Sequence, residues 1–159
     1  MSVRAALLVL LAALACAAEP ELEGRVVRVK DGDSFSARID GERVEVRIFG
    51  IDAPENGQPW SRRARRALEQ RLAGKTVVFR PVETDPYGRL VAWVEADGVC
   101  VACAQLRDGH VWVYRFYTDD AELIALEDDA RGAGRGLWAL PERGRVPPWD
   151  WRRQRPRRR

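Results

Sequence analysis

Five acids and two arginines stand in short, stiff segments where such side chains could act together. Asp31-Gly32-Asp33-Ser34 is a tight acidic turn, and Arg47-Ile48-Phe49-Gly50-Ile51-Asp52-Ala53-Pro54-Glu55 ends an apolar stretch in two carboxylates three residues apart. Pro54 stiffens the turn between those acids. Joined by Asp33, they could assemble a hard, oxygen-lined cation site with one acid left over. Farther along, Asp85-Pro86-Tyr87-Gly88-Arg89 is a turn able to aim a second arginine. An EF-hand is the rival for the first segment, since Glu42 falls at its twelfth position. It fails, because Phe35 and Ser36 stand where that loop needs an oxygen ligand and a glycine. A plain hairpin turn, in which Asp is favoured, competes with the cation-site reading.

These residues need a scaffold, and the chain is long enough for one. Its 159 residues, 46% of them hydrophobic, fit one ordinary domain with short appendages and a real core. His110, the sole histidine, excludes paired-His zinc sites and two-His acid–base chemistry, so any metal must lean on oxygen. Of the 27 basic side chains only Lys30 and Lys75 are lysines. That bias suits bidentate phosphate contacts, and a GC-rich genome accounts for it as well.

Residues 1–18 have the layout of a secretory signal: Arg4, an apolar run from Ala5 to Leu14, then small residues at Ala15, Ala17 and Ala18. The run is short for a membrane span, so the expectation is export to the periplasm or the exterior, with no stable membrane insertion after cleavage. Lipid attachment at Cys16 is a second reading. Signal removal leaves Cys100 and Cys103, for which buried hydrophobes, a local disulfide and a redox pair compete. From residue 143 onward eight arginines face one acid, Asp150, and apolar periodicity is lacking. Residues 143–159 are therefore expected as a disordered basic tail behind a domain at 19–142, either solvated or touching an anionic partner.

Within the domain, strands come first and helices later. Val27 and Val29, then Phe35, Ala37 and Ile39, then Val44, Val46 and Ile48 alternate with polar neighbours, broken by Asp31-Gly32 and Asp40-Gly41. Residues 61–73 place Ala64, Ala67, Leu68 and Leu72 on one helical face before Gly74. Residues 76–82 and 90–95 read as two more strands, and 102–108 and 121–130 as two more helices. The expectation is an α+β domain, mainly β: a five-stranded OB-type barrel with about three flanking helices. Gly132, Gly134 and Gly136 follow a helix and do not join a strand to one, so they mark a frayed helix end, not a dinucleotide loop.

Together, Asp31-Gly32-Asp33-Ser34, Arg47 with Gly50 to Glu55, Asp85 to Arg89, and Arg135-Gly136-Leu137-Trp138 resemble the staphylococcal nuclease, or thermonuclease, family over roughly residues 24–138. The resemblance implies an OB-fold nuclease that hydrolyses DNA and RNA with calcium and little sequence specificity. By position, Asp33, Asp52 and the carbonyl of Ala53 match the calcium ligands. Glu55 matches the group that orients or deprotonates water, Arg47 and Arg89 the phosphate clamp, and Tyr87 and Tyr117 the aromatics of the nucleotide pocket. A monomer acting preferentially on single strands is the accompanying expectation. The stretch from Asn56 to Trp60 is shorter than the family's loop, and Ala53, Pro86 and Arg115 replace a common Thr, Lys and Tyr.

The chemistry supports these roles. An anionic phosphodiester repels nucleophiles, and its transition state concentrates charge that a divalent ion and two guanidiniums can meet from opposite sides. Such donors supply roughly 3 to 4 kcal/mol each, whereas hydrolytic accelerations need about 8 to 23 kcal/mol, so the whole set is required. The alternative is a non-catalytic OB module that binds nucleic acid. Acids that repel phosphate are of no use to mere binding, which favours the enzyme.

Overall fold

The computed structural model describes residues 21–154. The signal and lipid-attachment readings, and residues 155–159, lie outside the described residues. The chain runs β1 (Leu22–Val29), β2 (Ser34–Ile39), β3 (Glu42–Ile48), β4 (Ile51–Asp52), α1 (Ser61–Leu72), β5 (Thr76–Thr84), β6 (Leu90–Ala96), β7 (Val99–Cys100), α2 (Val101–Arg107), β8 (Trp112–Val113), α3 (Ala121–Gly132) and α4 (Pro148–Gln154). The 3-10 turns Gly136–Ala139 and Glu142–Gly144 link α3 to α4.

Strand order β3-β2-β1-β5-β6-β7, with β3 also pairing in parallel with β6, closes five strands into a barrel. This mixed barrel with its helices is the expected OB-type α+β fold. Closure leaves the alternate side chains of each strand facing one interior. Phe35 and Phe79 meet there, ring centroids 6.1 Å apart, among Ile48, Val46 and Val94. Helix α1 plugs the barrel with the apolar stripe that its spacing announces, Ala64, Ala67, Leu68 and Leu72.

One strand departs from simple alternation. A register shift between Val26 and Arg28 puts Val26 and Val29 inside and leaves Val27 48% exposed. A bulge inserts one residue and reverses the facing of the residues beyond it, so Val27 and Val29 do not share a face.

The larger departure is the C-terminal segment. Residues 143–154, expected as disordered, form a 3-10 turn, an extended connection and α4, packed beside a second aromatic cluster of Trp112, Trp138 and Trp149. Only Pro148 is fully buried in α4, so the helix has no apolar stripe for periodicity to reveal. Its cohesion comes from packing of Trp149 against the rings of Trp112 and Tyr114 and from pairing of Arg152 with acids 100 and 97 positions earlier. Cys100 and Cys103 form a disulfide at the start of α2. Among the described residues no helix is long and apolar enough to cross a membrane.

Candidate active site

Two turns and one strand place the acids. Asp31 Oδ1 accepts from the Asp33 backbone N–H at 3.1 Å and from the Ser34 hydroxyl at 2.7 Å, an Asx turn that delivers Asp33 at the mouth of the barrel. Gly32 is needed because a Cβ there would lie 2.8 Å from the Cβ atoms of both Ala53 and Ala64. The turn is thus wedged between the Asp52–Glu55 segment and α1. Gln105, fully buried on α2, donates to the carbonyl of Gly32 at 3.0 Å and accepts from Arg71 at 3.1 Å, which locks the turn from beneath.

Arg47 lies opposite Ser34 in the β2–β3 register. Its guanidinium bridges Asp33 Oδ1 at 3.1 Å and Asp52 Oδ1 at 3.0 Å and also reaches the Ile51 carbonyl at 3.2 Å. The other Asp33 oxygen accepts from the Ala53 N–H at 2.6 Å. The Asp33 and Asp52 side chains are 4% and 1% exposed. Burial pushes the Asp33 carboxyl well above the usual carboxylate range; Arg47 opposes this, while Asp31 and Asp52 add to it. Burial acts to lower the Arg47 pKa, but Asp33 and Asp52 outweigh it and hold Arg47 firmly protonated.

Arg89 is held by its own turn. Asp85 Oδ1 accepts from the N–H groups of Tyr87 and Arg89, each at 2.9 Å, and Asp85 Oδ2 accepts from Arg89 Nε at 2.7 Å. Burial pushes Asp85 up, yet these bonds together bring it below its ordinary value. Glu55 is set by Gln58, whose Oε1 accepts the Glu55 N–H at 2.8 Å while its Nε2 donates to the Val146 carbonyl.

The structure brings Asp33, Arg47, Asp52, Ala53, Glu55 and Arg89 around one cavity of about 500 Å³. A second cavity of about 430 Å³ shares Arg47, Glu55 and Arg89 and is lined by Tyr87 and Tyr117. Those tyrosines are 86% and 59% exposed. Arg115 turns away and pairs with the buried Glu127 at 2.9 Å. Sequence reasoning missed Tyr114, whose ring centroid lies 5.8 Å from the Arg47 guanidinium carbon and 5.0 Å from that of Tyr117. Tyr114 directly follows β8, whose Trp112 and Val113 are both buried, so strand alternation does not single it out in the sequence. Also missed were Arg62 and Arg65 of α1, exposed arginines lining the first cavity, and Arg152 of α4, which pairs with both Asp52 and Glu55.

The donor chemistry suits a hard divalent cation. Asp33 and Asp52 are close enough for one guanidinium to bridge them, the carbonyl of Ala53 adjoins, and the burden of negative charge on Asp33 is what such an ion relieves. Among the described residues no three metal-ligating side chains already converge on one point. Glu55 is turned to Arg152 instead, at 2.6 Å.

A model of the family described as staphylococcal nuclease homologue matches residues 45–140. An "uncharacterized endonuclease" of Escherichia coli is 39% identical over 136 residues, 85% of this chain and 88% of that protein. "Protein ParB" of Escherichia coli is 38% identical over 162 aligned positions, covering 95% of this chain and 90% of its own. "Micrococcal nuclease" of Shigella flexneri is 33% identical over 144 residues, 84% of this chain and 82% of the relative.

Proposed function

The chain belongs to the staphylococcal nuclease family, and from that premise we propose that it is an exported, calcium-dependent nuclease that hydrolyses phosphodiester bonds in DNA and RNA with little sequence specificity. The observation that carries this reading is the pair of buried carboxylates, Asp33 and Asp52, bridged by Arg47 in a cavity that Glu55 and Arg89 also line. Burying two acids side by side is costly unless a cation repays it, and one arginine leaves Asp33 incompletely compensated.

In this reading Asp33, Asp52 and the Ala53 carbonyl hold calcium, which when bound supplies positive charge to a phosphoryl oxygen and lowers the pKa of water. Arg47 and Arg89 donate from fixed positions to the remaining phosphoryl oxygens, Arg47 held by two carboxylates and Arg89 by the Asp85 turn. Glu55, on the rim and 38% exposed, accepts a proton from the attacking water. Tyr87 and Tyr117 offer exposed rings on which unpaired bases stack, which favours single strands and carries no sequence code. The folded unit acts as a monomer, and residues 1–18 direct its export.

The test is a gel cast with denatured DNA or RNA and developed in calcium, in magnesium or in EDTA. Clearing in calcium, little in magnesium and none in EDTA is expected. Clearing in EDTA overturns the metal assignment, and no clearing in calcium overturns the nuclease reading.

A further inference from the structure

The carboxylates hold a second guanidinium besides Arg47. Arg152 Nη2 donates to Asp52 Oδ2 at 2.8 Å, and its Nη1 donates to Asp52 Oδ1 at 3.2 Å and to Glu55 Oε1 at 2.6 Å. Both oxygens of Asp52 are therefore taken by arginine. The pairing is built, because α4 is seated by Trp149, whose ring lies 5.8 Å from that of Tyr114 at an interplanar angle of 24° and meets Trp112 edge-on at 5.9 Å. Gln58 adds a link by holding both the Glu55 N–H and the Val146 carbonyl, so the segment before α4 and the Glu55 turn are tied to one side chain.

The two ends of the pair differ in freedom. Asp52 is 1% exposed and fixed in the barrel, whereas the Arg152 side chain is 39% exposed and reaches inward from a surface helix. Asp52 Oδ2 is held by Arg152 alone, whereas Oδ1 is shared with the more deeply buried Arg47. A divalent cation taking Oδ2 therefore displaces Arg152 and leaves Arg47 on Oδ1, because like charges repel strongly where water is scarce. Arg152 is the group that can leave. It also lines the second cavity, with its guanidinium carbon 5.9 Å from the Tyr114 ring centroid, beside Arg47 and Arg89. Off the carboxylates, it faces the cavity where a nucleotide would enter, with its donors free for a phosphate.

We propose that Arg152 is a third phosphate-binding guanidinium of this site, held on Asp52 and Glu55 in the free protein and exchanged onto a nucleic-acid phosphate when a divalent cation is bound. The proposal rests on the calcium-dependent nuclease reading and adds a linkage to it. Arg152 opposes calcium when no nucleic acid is present and assists nucleic acid when calcium is present, so the two ligands strengthen each other's binding through one side chain.

The experiment uses full-length mature protein, wild type, Arg152→Ala and Arg152→Lys. Calorimetry measures calcium alone, then a deoxynucleoside 3′,5′-bisphosphate at saturating calcium, a probe with phosphates but no internucleotide bond to cut. Arg152→Ala is expected to bind calcium alone about fivefold more tightly, as for loss of a partly exposed ion pair. It should bind the bisphosphate about tenfold more weakly, as for loss of a charge-assisted bond. Arg152→Lys should fall between, and it is the variant read if near-ultraviolet circular dichroism shows that the alanine variant has lost the Trp149 packing. Unchanged or weaker calcium binding in the variants overturns the proposal, as does unchanged bisphosphate binding. A wild type that binds no calcium overturns the calcium reading and this linkage with it, whereas a wild type that binds calcium indistinguishably from its variants overturns the linkage alone.

Discussion

Replacing Asp33 by Asn should make the calcium-free protein more stable and deprive it of calcium. The Asp33 carboxyl is raised chiefly by burial, which Arg47 opposes only in part and which Asp31 and Asp52 reinforce, so its ionised form is a net burden on the fold. Asparagine keeps an oxygen for the Ala53 N–H, which Asp33 now accepts at 2.6 Å, but its amide NH2 replaces the oxygen that Arg47 reaches at 3.1 Å, so Arg47 falls back on Asp52 at 3.0 Å and the Ile51 carbonyl at 3.2 Å. Removing the charge relieves its burial at the expense of one Arg47 contact, and because Asp52 still pairs with Arg47 no buried charge is stranded. The net gain should be about 1 to 2 kcal/mol, the low end of what replacing whole buried ion pairs gives. For a domain of this size that is a rise of roughly 3 to 8 °C in melting temperature. The sign comes from the raised pKa. The carboxyl's favourable protonated form is fully present below its unfolded pKa, and the stability it gives is lost as pH rises through the higher folded value. Wild type minus variant should therefore fall over that window and level off above it. In millimolar calcium the order should reverse, because wild type gains ligand-linked stability that the variant lacks. Melting by circular dichroism across pH 4 to 8, in EDTA and in calcium, reads all of this. A variant less stable than wild type in EDTA at pH 7 would refute the reasoning, since the Arg47 pair would then outweigh burial.

Arg62 and Arg65 are exposed, line the cavity that holds the acids, and have no carboxylate within ion-pair distance among the described residues. Their double replacement by Ala should lower the salt slope of single-strand binding by about 1.4 log units per log of salt, measured by anisotropy without calcium; an unchanged slope places the strand elsewhere. Glu127→Ala should cost about 2 kcal/mol in urea unfolding. It strands the buried Val113 N–H, now bonded at 2.8 Å, while Arg115 and Arg131 are exposed enough to hydrate; a cost under about 0.5 kcal/mol would mean that water replaces the carboxylate. The Cys100→Ala/Cys103→Ala double variant should keep its nuclease turnover when folded, because the disulfide lies at β7 and α2 and lines neither of the two cavities described. Lost turnover in a folded variant would assign the pair a role in the site.

The barrel was legible because apolar residues recur at strand spacing in most of its strands, the β1 bulge aside, and α1 because its apolar residues recur at helical spacing. Asp33, Arg47, Asp52, Glu55 and Arg89 were legible because each sits in a short stiff segment of characteristic residues. Arg152 was not, since its partners lie 100 and 97 residues earlier and its helix carries no apolar stripe. Arginines in a Pro- and Arg-rich terminus read as solvated charge when the acids they meet are distant in sequence. Tyr114 was overlooked for Tyr117 because spacing alone does not say which ring of a short aromatic run faces inward. Glu127 likewise reads as one more helix acid, and only the fold reveals that it caps β8 from within.

The most direct test of the central claim is single-turnover cleavage of single-stranded DNA at saturating calcium by wild type, Glu55→Gln and Arg89→Ala, each checked for folding by circular dichroism. Both groups are placed to act on the transition state, so each variant should lose roughly a hundredfold or more in rate while remaining folded. Cleavage by folded Glu55→Gln at a rate near that of wild type would contradict the account.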